Sequence, residues 1–280
     1  MLAAMRPRQW SKNLLLYAGL LFAAELGDPE RWIQATAAFV AYCLASSAAY
    51  LFNDVRDAEQ DRLHPLKRTR PIASGAVRSD RALNVAGILA ALALSIVAPL
   101  GWGSLAYMAG FLLLQAAYSF QLKKFAVVDV MAISALFVIR AAAGAEAVDV
   151  RISPWLLICT ALLALFLALA KRRGELSSTA ADGSGRPVLS GYSFALVDQL
   201  VSIVAACTIV AYSLYTFEAR EGSAMMATIP FVVFGLFRYL QLIHREDLGE
   251  EPENVFLTDV PILATIAAWA VTSALILELV

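Results

Sequence analysis

Residues 31–53 read RWIQATAAFVAYCLASSAAYLFN: one cation at the start, Arg31, then an almost wholly apolar or small-residue run long enough to cross a bilayer. A hydrocarbon core about 30 Å thick needs about 20 such residues as a helix, because lipid offers the backbone no other hydrogen-bond partner. Working outward with the same ruler, further runs of this kind lie near 11–26, 80–100, 103–121, 126–147, 153–171, 194–217, 224–244 and 258–279. The expected fold is therefore an all-α membrane protein, a bundle of about nine transmembrane helices. Composition agrees. Only 16% of the 280 residues are charged, against about 25% in a soluble domain, and the mean hydropathy is +0.68. The start, with Arg6, Arg8 and Lys12 before an apolar stretch reaching Ala23-Ala24, has the look of a secretory leader. Span follows span after it, so it is read as an uncleaved first helix.

Charge then sets the orientation. With the N-terminus in the cytoplasm, eighteen of the 22 Lys and Arg residues fall on that side. Arg31, Arg151 and Arg220 fall on the other, and Arg140 lies within the membrane. The positive-inside rule predicts N-in and C-out in the plasma membrane, and an odd number of spans, since one miscounted helix would scramble the sorting. Connections 54–79, 122–126, 172–193 and 245–257 all lie on the cytoplasmic side, and chemistry is expected there. The whole chain, 1–280, is expected to form one polytopic domain. A net charge of −1 gives no footprint for nucleic acid, so none is expected as a partner. Membrane lipids are the expected surroundings, and a homo-oligomer is compatible with the sequence. Cys43, Cys159 and Cys207 sit in apolar runs without CxxC spacing and read as small buried hydrophobes. His64 and His244 are too few for a metal site. Residues 182–187 read as a flexible turn, and the acidic stretch from Glu246 to Glu253 as a solvated loop.

The decisive chemistry follows directly on the opening stretch, in NDVRDAEQDRLHPLKRTRPIASG, residues 53–75. Asp54, Asp57 and Asp61 are spaced i, i+3, i+7, which lines three carboxylates along one helical face. Like charges so placed repel, and a bound Mg²⁺ offsets them by taking hard oxygen ligands from one or two carboxylates and the rest from phosphates and water. Most Asp runs are merely solvated helix faces. Here the run stands at a membrane edge with Lys67, Arg68 and Arg70 just beyond. Acids for a metal beside bases for phosphates suit a diphosphate. Arg68 and Arg70 read equally as phosphate ligands or as interfacial cations.

Three other groups are candidates. Tyr118, Lys123 and Lys124 close one span as an aromatic belt with topology cations, or as substrate contacts. Asp129 begins the next span, and Arg140 lies about 16 Å deeper on nearly the same face, lining a substrate cavity or making a structural contact between helices. Lys171, Arg172 and Arg173 end the sixth span. Consecutive helical residues point about 100° apart, so one can face the bundle while others reach headgroups, and at least one is expected to bind an anionic substrate. Near the start, Lys12 and Asn13, beside Trp10, are further cavity candidates.

Taken together, RPRQWSKN, NDVRDAEQDRLHPLKRTRPIASG, YSFQLKKFAVVDV, FVIRAAAG and LALAKRRGEL resemble the UbiA superfamily of intramembrane prenyltransferases, and within it the decaprenyl-phosphate phosphoribosyltransferase branch. The resemblance covers nearly the whole chain. Aromatic prenyltransferases of this fold carry a second acidic DxxxD motif after the sixth span, where this chain has KRRGELSSTAADG. That departure implies one metal-diphosphate site beside a cationic one.

What the resemblance implies is Mg²⁺-dependent transfer of 5-phosphoribose from phosphoribosyl pyrophosphate to a polyprenyl phosphate such as decaprenyl phosphate, in the synthesis of cell-envelope arabinose precursors. Asp54, Asp57 and Asp61, with Asn53, would hold Mg²⁺ on the leaving pyrophosphate. The lipid phosphate, already anionic, would attack without a strong base. A same-fold alternative moves a prenyl group from prenyl diphosphate to an aromatic or lipid acceptor. A transporter is disfavoured, because paired Gly/Pro-broken helices are not seen.

Overall fold

The computed structural model describes residues 1–22, 27–63, 67–151, 153–182, 187–218, 224–245 and 258–279, and all regular structure among them is helical. After a short α1 (Leu2–Met5) and a tight 3₁₀ coil over Pro7–Tyr17, the α-helices are α2 (Ala18–Phe22), α3 (Pro29–Leu63), α4 (Ser79–Val97), α5 (Trp102–Phe120), α6 (Val128–Ala147), α7 (Pro154–Asp182), α8 (Phe194–Glu218), α9 (Ile229–Arg245) and α10 (Val260–Leu279). Six segments are long and apolar enough to cross a membrane: α3, Ser79–Leu100, α6, Pro154–Ser178, Phe194–Phe217 and Ala224–His244. Helix α10 contributes a shorter apolar stretch, Val260–Ile276. Helix α5 occupies the fourth expected span and carries Tyr107, Gln115 and Tyr118. The first expected span, 11–26, is the 3₁₀ coil and α2 as far as residue 22. Of the expected turn at 182–187, Asp182 ends α7 and Pro187 begins a short 3₁₀ segment; 183–186, the acidic loop at 246–253, His64 and Arg220 lie outside the described residues.

Two helices outrun the hydrocarbon. At 1.5 Å per residue, the 35 residues of α3 extend roughly 50 Å, and the 29 of α7 roughly 44 Å. The apolar run ends near Phe52 in one and Ala170 in the other, yet the helix continues, because Arg56, Ala58, Glu59, Gln60 and Arg62 in one and Lys171, Arg172, Arg173, Glu175 and Leu176 in the other are good helix formers. The segments expected as loops from 54 and from 172 therefore begin as helix. Their surplus turns carry the acidic cluster and the Lys171-Arg172-Arg173 step.

The chain divides into two compact units. The first comprises Met1–Lys123 and Leu136–Ile152. Its core forms around a stripe of small residues on α3, Ala35, Ala38, Ala41, Ala45 and Ala48, all buried. Small side chains at helical spacing let neighbouring backbones approach closely where the surroundings are as apolar as the core. Tyr42, Met108, Phe111 and Leu136 fill that core. Gly144 of α6 lies against the backbone of Leu16, where any Cβ would collide. The N-terminal coil is docked further by Trp10 Nε1, which donates to Ser47 Oγ at 3.0 Å, and by Ser47 Oγ, which donates to the Met5 carbonyl at 3.1 Å.

The second unit comprises Lys124–Ala135 and Ser153–Val280. Its core joins Val130, Phe166, Leu169, Val197, Val201, Tyr239, Ile243 and Ile262, with Phe166 edge-on to Tyr239 at 5.4 Å. Helices α7 and α8 pack along each other, and α9 packs on α10. Asp259 caps the start of α10 by accepting from the Ile262 backbone N–H at 3.0 Å. It is tied to α9 by Arg238 Nη2 at 2.8 Å, which holds its carboxyl below the ordinary carboxylate range.

Candidate active site

The last turns of α3 bring the three aspartates of the first unit to one face, with Asp54 and Asp61 buried and Asp57 partly exposed. Each is met by a cation from elsewhere in the same unit. Arg6 Nη2 donates to both oxygens of Asp54, at 2.6 and 2.8 Å. Arg70 Nη1 reaches Asp61 Oδ2 at 2.6 Å and Asp54 Oδ1 at 3.5 Å. Lys123 Nζ donates to Asp57 Oδ1 at 2.6 Å and to Asn53 Oδ1 at 3.0 Å, while Asn53 Nδ2 donates to Asp57 Oδ2 at 3.0 Å. Arg62 Nε, bonded to the Ala73 carbonyl at 3.1 Å, pins the returning segment that delivers Arg70. Lys67 is half-buried and Arg68 exposed. Tyr118 is half-buried on α5, one residue before the buried Ser119.

These residues suit Mg²⁺ in its usual open form. Among the described residues no three Asp, Glu, His or Cys side chains converge as a ready-made cage. The ion characteristically takes one or two carboxylates and completes its shell with phosphate oxygens and water. Asp54, Asp57 and Asp61 supply hard oxygen donors on successive turns, and the cations between them supply charge for phosphates. The acidic and basic parts of the sequence motif are thus brought together; Lys123 and Arg6 join them from outside it.

Arg140 and Asn13 form a separate buried pair in the same unit. Arg140 Nε donates to Asn13 Oδ1 at 2.8 Å, and Arg140 Nη1 to the Leu136 carbonyl at 3.1 Å. The guanidinium lies over Phe111 at 4.8 Å and Phe137 at 5.2 Å. Asn13 Nδ2 donates to Cys43 Sγ at 3.3 Å. Of the two roles open to Arg140, this geometry matches the contact between helices: it joins α6 to the N-terminal coil. Lys12, next to Asn13, is half-buried.

In the second unit the cationic step is built into ion pairs. Arg172 is the largest fully buried side chain of the described residues. Its Nε lies 2.8 Å from Asp129 Oδ2, and its Nη1 bonds Glu175 one turn on. Asp129 Oδ1 accepts from the Tyr192 hydroxyl at 2.7 Å. Arg173 Nε donates to Asp198 Oδ1 at 2.7 Å, and its Nη1 to the Ile243 carbonyl at 2.8 Å. Lys171 is half-buried beside them.

Sequence reading missed Arg6, Glu175, Tyr192 and Asp198. Arg6 and Glu175 sit inside motifs quoted for other residues, RPRQWSKN and KRRGEL. Nothing local marks Tyr192, because its partners Val127 and Asp129 are more than sixty residues away.

With this geometry in place, comparison with known proteins settles the family. The model of the UbiA prenyltransferase family matches residues 14–260. The chain belongs to the UbiA prenyltransferase family. As a UbiA protein with six helices suited to crossing a membrane, it is a multi-pass membrane protein. It is 37% identical to the decaprenyl-phosphate phosphoribosyltransferase of Mycolicibacterium smegmatis, over 96% of this chain and 89% of that one. It is 36% identical to the protein of that name in Mycobacterium tuberculosis, over 96% and 91%, and 32% identical to that of Corynebacterium glutamicum, over 96% and 84%. Among solved structures it superposes on a UbiA homolog from Archaeoglobus fulgidus bound to DMAPP and Mg²⁺, with a TM-score of 0.75 at 18% identity, covering 99% of this chain and 98% of that one. The likeness shows the UbiA fold expected from the motifs.

Proposed function

We propose that this UbiA protein transfers 5-phosphoribose from phosphoribosyl pyrophosphate to a polyprenyl phosphate of the decaprenyl class, with Mg²⁺, releasing pyrophosphate. The observation that carries the reading is the face of α3 where Asp54, Asp57 and Asp61 meet Arg6, Arg70 and Lys123, in a chain 32–37% identical over most of its length to proteins named for this reaction. In the transfer, the bond from the anomeric carbon to the pyrophosphate oxygen breaks and one to a lipid phosphate oxygen forms. The lipid phosphate is anionic at neutral pH, so no strong general base is required.

Asp54, Asp57 and Asp61 would hold Mg²⁺, and when bound it would supply positive charge to stabilise the leaving pyrophosphate. Asn53 orients Asp57 through its 3.0 Å hydrogen bond. Arg70 and Lys123 exchange their carboxylate bonds for phosphate oxygens as the donor arrives, with Lys67, Arg68 and Tyr118 as outer contacts. Lys171, Arg172 and Arg173, near Asp129, form the acceptor-phosphate step, and Lys12, Asn13 and Arg140 support the substrate cavity. Positioning and charge neutralisation supply most of the acceleration. The whole of 1–280 acts as one polytopic domain of nine spans, N-terminus in the cytoplasm and C-terminus outside, with its chemistry on the cytoplasmic connections of the plasma membrane. The charge asymmetry of the sequence supports that orientation.

Purified protein given Mg²⁺, labelled phosphoribosyl pyrophosphate and decaprenyl phosphate should yield a lipid-soluble labelled product. No product with any polyprenyl chain length sinks the proposal. A second reading, prenyl transfer, draws on fold neighbours solved with DMAPP or GPP and Mg²⁺. The basic Lys171-Arg172-Arg173 step, in place of a second acidic motif, weighs against it, and a substrate swap in the same assay decides.

A further inference from the structure

Val127 has φ +68°, a left-handed conformation that a β-branched side chain disfavours strongly. Backbone held in such a region persists only where its surroundings over-determine it. Here the Val127 carbonyl accepts from the Met131 N–H at 3.0 Å, and a phenol closes the clasp. The Val127 N–H donates to Tyr192 Oη at 2.7 Å, and the Tyr192 hydroxyl donates to Asp129 Oδ1 at 2.7 Å. The other carboxylate oxygen, Asp129 Oδ2, lies 2.8 Å from Arg172 Nε. A second observation shows that the corner is built tightly: a Cβ on Gly191 would come within 2.7 Å of Ala126 Cβ, so only glycine lets the segment before Tyr192 close on it. Tyr192 is buried, and burial, with Asp129 beside it, pushes its pKa up, so the phenol keeps the proton it donates.

We infer that Tyr192 is a positioning residue. Through one hydroxyl it sets the strained corner at Val127 and the carboxylate of Asp129, and through Asp129 the guanidinium of Arg172 that anchors the acceptor-phosphate step. The inference rests on the proposed reading only in identifying the anion as a lipid phosphate. A carboxylate with one oxygen hydrogen-bonded by a phenol and the other ion-paired with a guanidinium is held from both sides, and the phenol supplies the directional bond. Without the phenol it can rotate, and the register of residues 171–175 loosens with it.

The test separates positioning from simple bracing. In Tyr192→Phe both hydrogen bonds are lost, so affinity for decaprenyl phosphate, read by direct binding and as acceptor KM, should fall about tenfold or more, with donor KM little changed. Val127→Gly removes the conformational penalty. Combined with Tyr192→Phe it should restore thermal stability but not acceptor affinity, and it gives a folded protein to measure should Tyr192→Phe alone fold poorly. Unchanged acceptor affinity in Tyr192→Phe, or full recovery of that affinity in the double variant, overturns the inference. If Tyr192→Phe weakens lipid-phosphate binding while the wild type forms no phosphoribosyl product, the donor assignment fails and the positioning role stands.

Discussion

Arg6 and Asp54, 48 residues apart, form a two-pronged pair in which one guanidinium nitrogen meets both carboxylate oxygens at 2.6 and 2.8 Å. Asp54 is almost fully buried and Arg6 partly exposed, its guanidinium 4.9 Å above the Tyr50 ring. Removing one partner of a buried pair leaves the other charge without compensation. Because Arg70 also approaches Asp54, at 3.5 Å, and Arg6 keeps some solvent, Arg6→Ala should cost about 2 kcal/mol rather than the full value for a buried pair. It should lower kcat/KM for the donor at least tenfold. Thermal unfolding in detergent and donor titration measure the two effects.

Asp57 tests the metal role most cleanly, since it is the least buried of the three aspartates and its loss disturbs packing least. Asp57→Asn keeps the shape and removes the charge. Turnover should disappear while the melting temperature holds, and full activity in a folded Asp57→Asn protein would remove Asp57 from the metal site.

Chelation gives an independent check on the same feature. EDTA should abolish transfer, and added Mg²⁺ should restore it. Without metal, Arg6, Arg70 and Lys123 already neutralise the carboxylates, so the chelated protein should stay folded. A loss of cooperative unfolding on chelation would contradict that.

The Arg140–Asn13 pair predicts a stability effect distinct from catalysis. Asn13→Leu strips the acceptor from Arg140 Nε at a buried site, leaving a charged donor unsatisfied at about 1–3 kcal/mol. Replacing both, as Asn13→Leu with Arg140→Met, removes the unmet charge and should recover most of that loss. Thermal melts of the two variants decide it.

Much of this was legible in the sequence. The apolar runs located α3 to α10, because a bilayer demands length and hydrophobicity that few soluble helices combine. The spacing of Asp54, Asp57 and Asp61 placed them on one face. Hydropathy marks where lipid ends, though, not where a helix ends, and so the surplus turns of α3 and α7 read as loops. Pairings made across the fold, Arg6 with Asp54 or Asp129 with Arg172, leave no local trace. The basic run at 171–173 gave its charge but not its burial: that Arg172 is held by Asp129 and Glu175 follows from packing alone. The left-handed Val127 was equally hidden, since a valine there is the residue least expected.

The most direct measurement is the mass of the lipid product formed when one preparation receives Mg²⁺, decaprenyl phosphate, phosphoribosyl pyrophosphate and geranyl diphosphate together. The expected result is a single new lipid, decaprenyl phosphate carrying one phosphoribosyl group, with pyrophosphate released in equal amount and geranyl diphosphate untouched. Consumption of geranyl diphosphate with no phosphoribosylated lipid would contradict it.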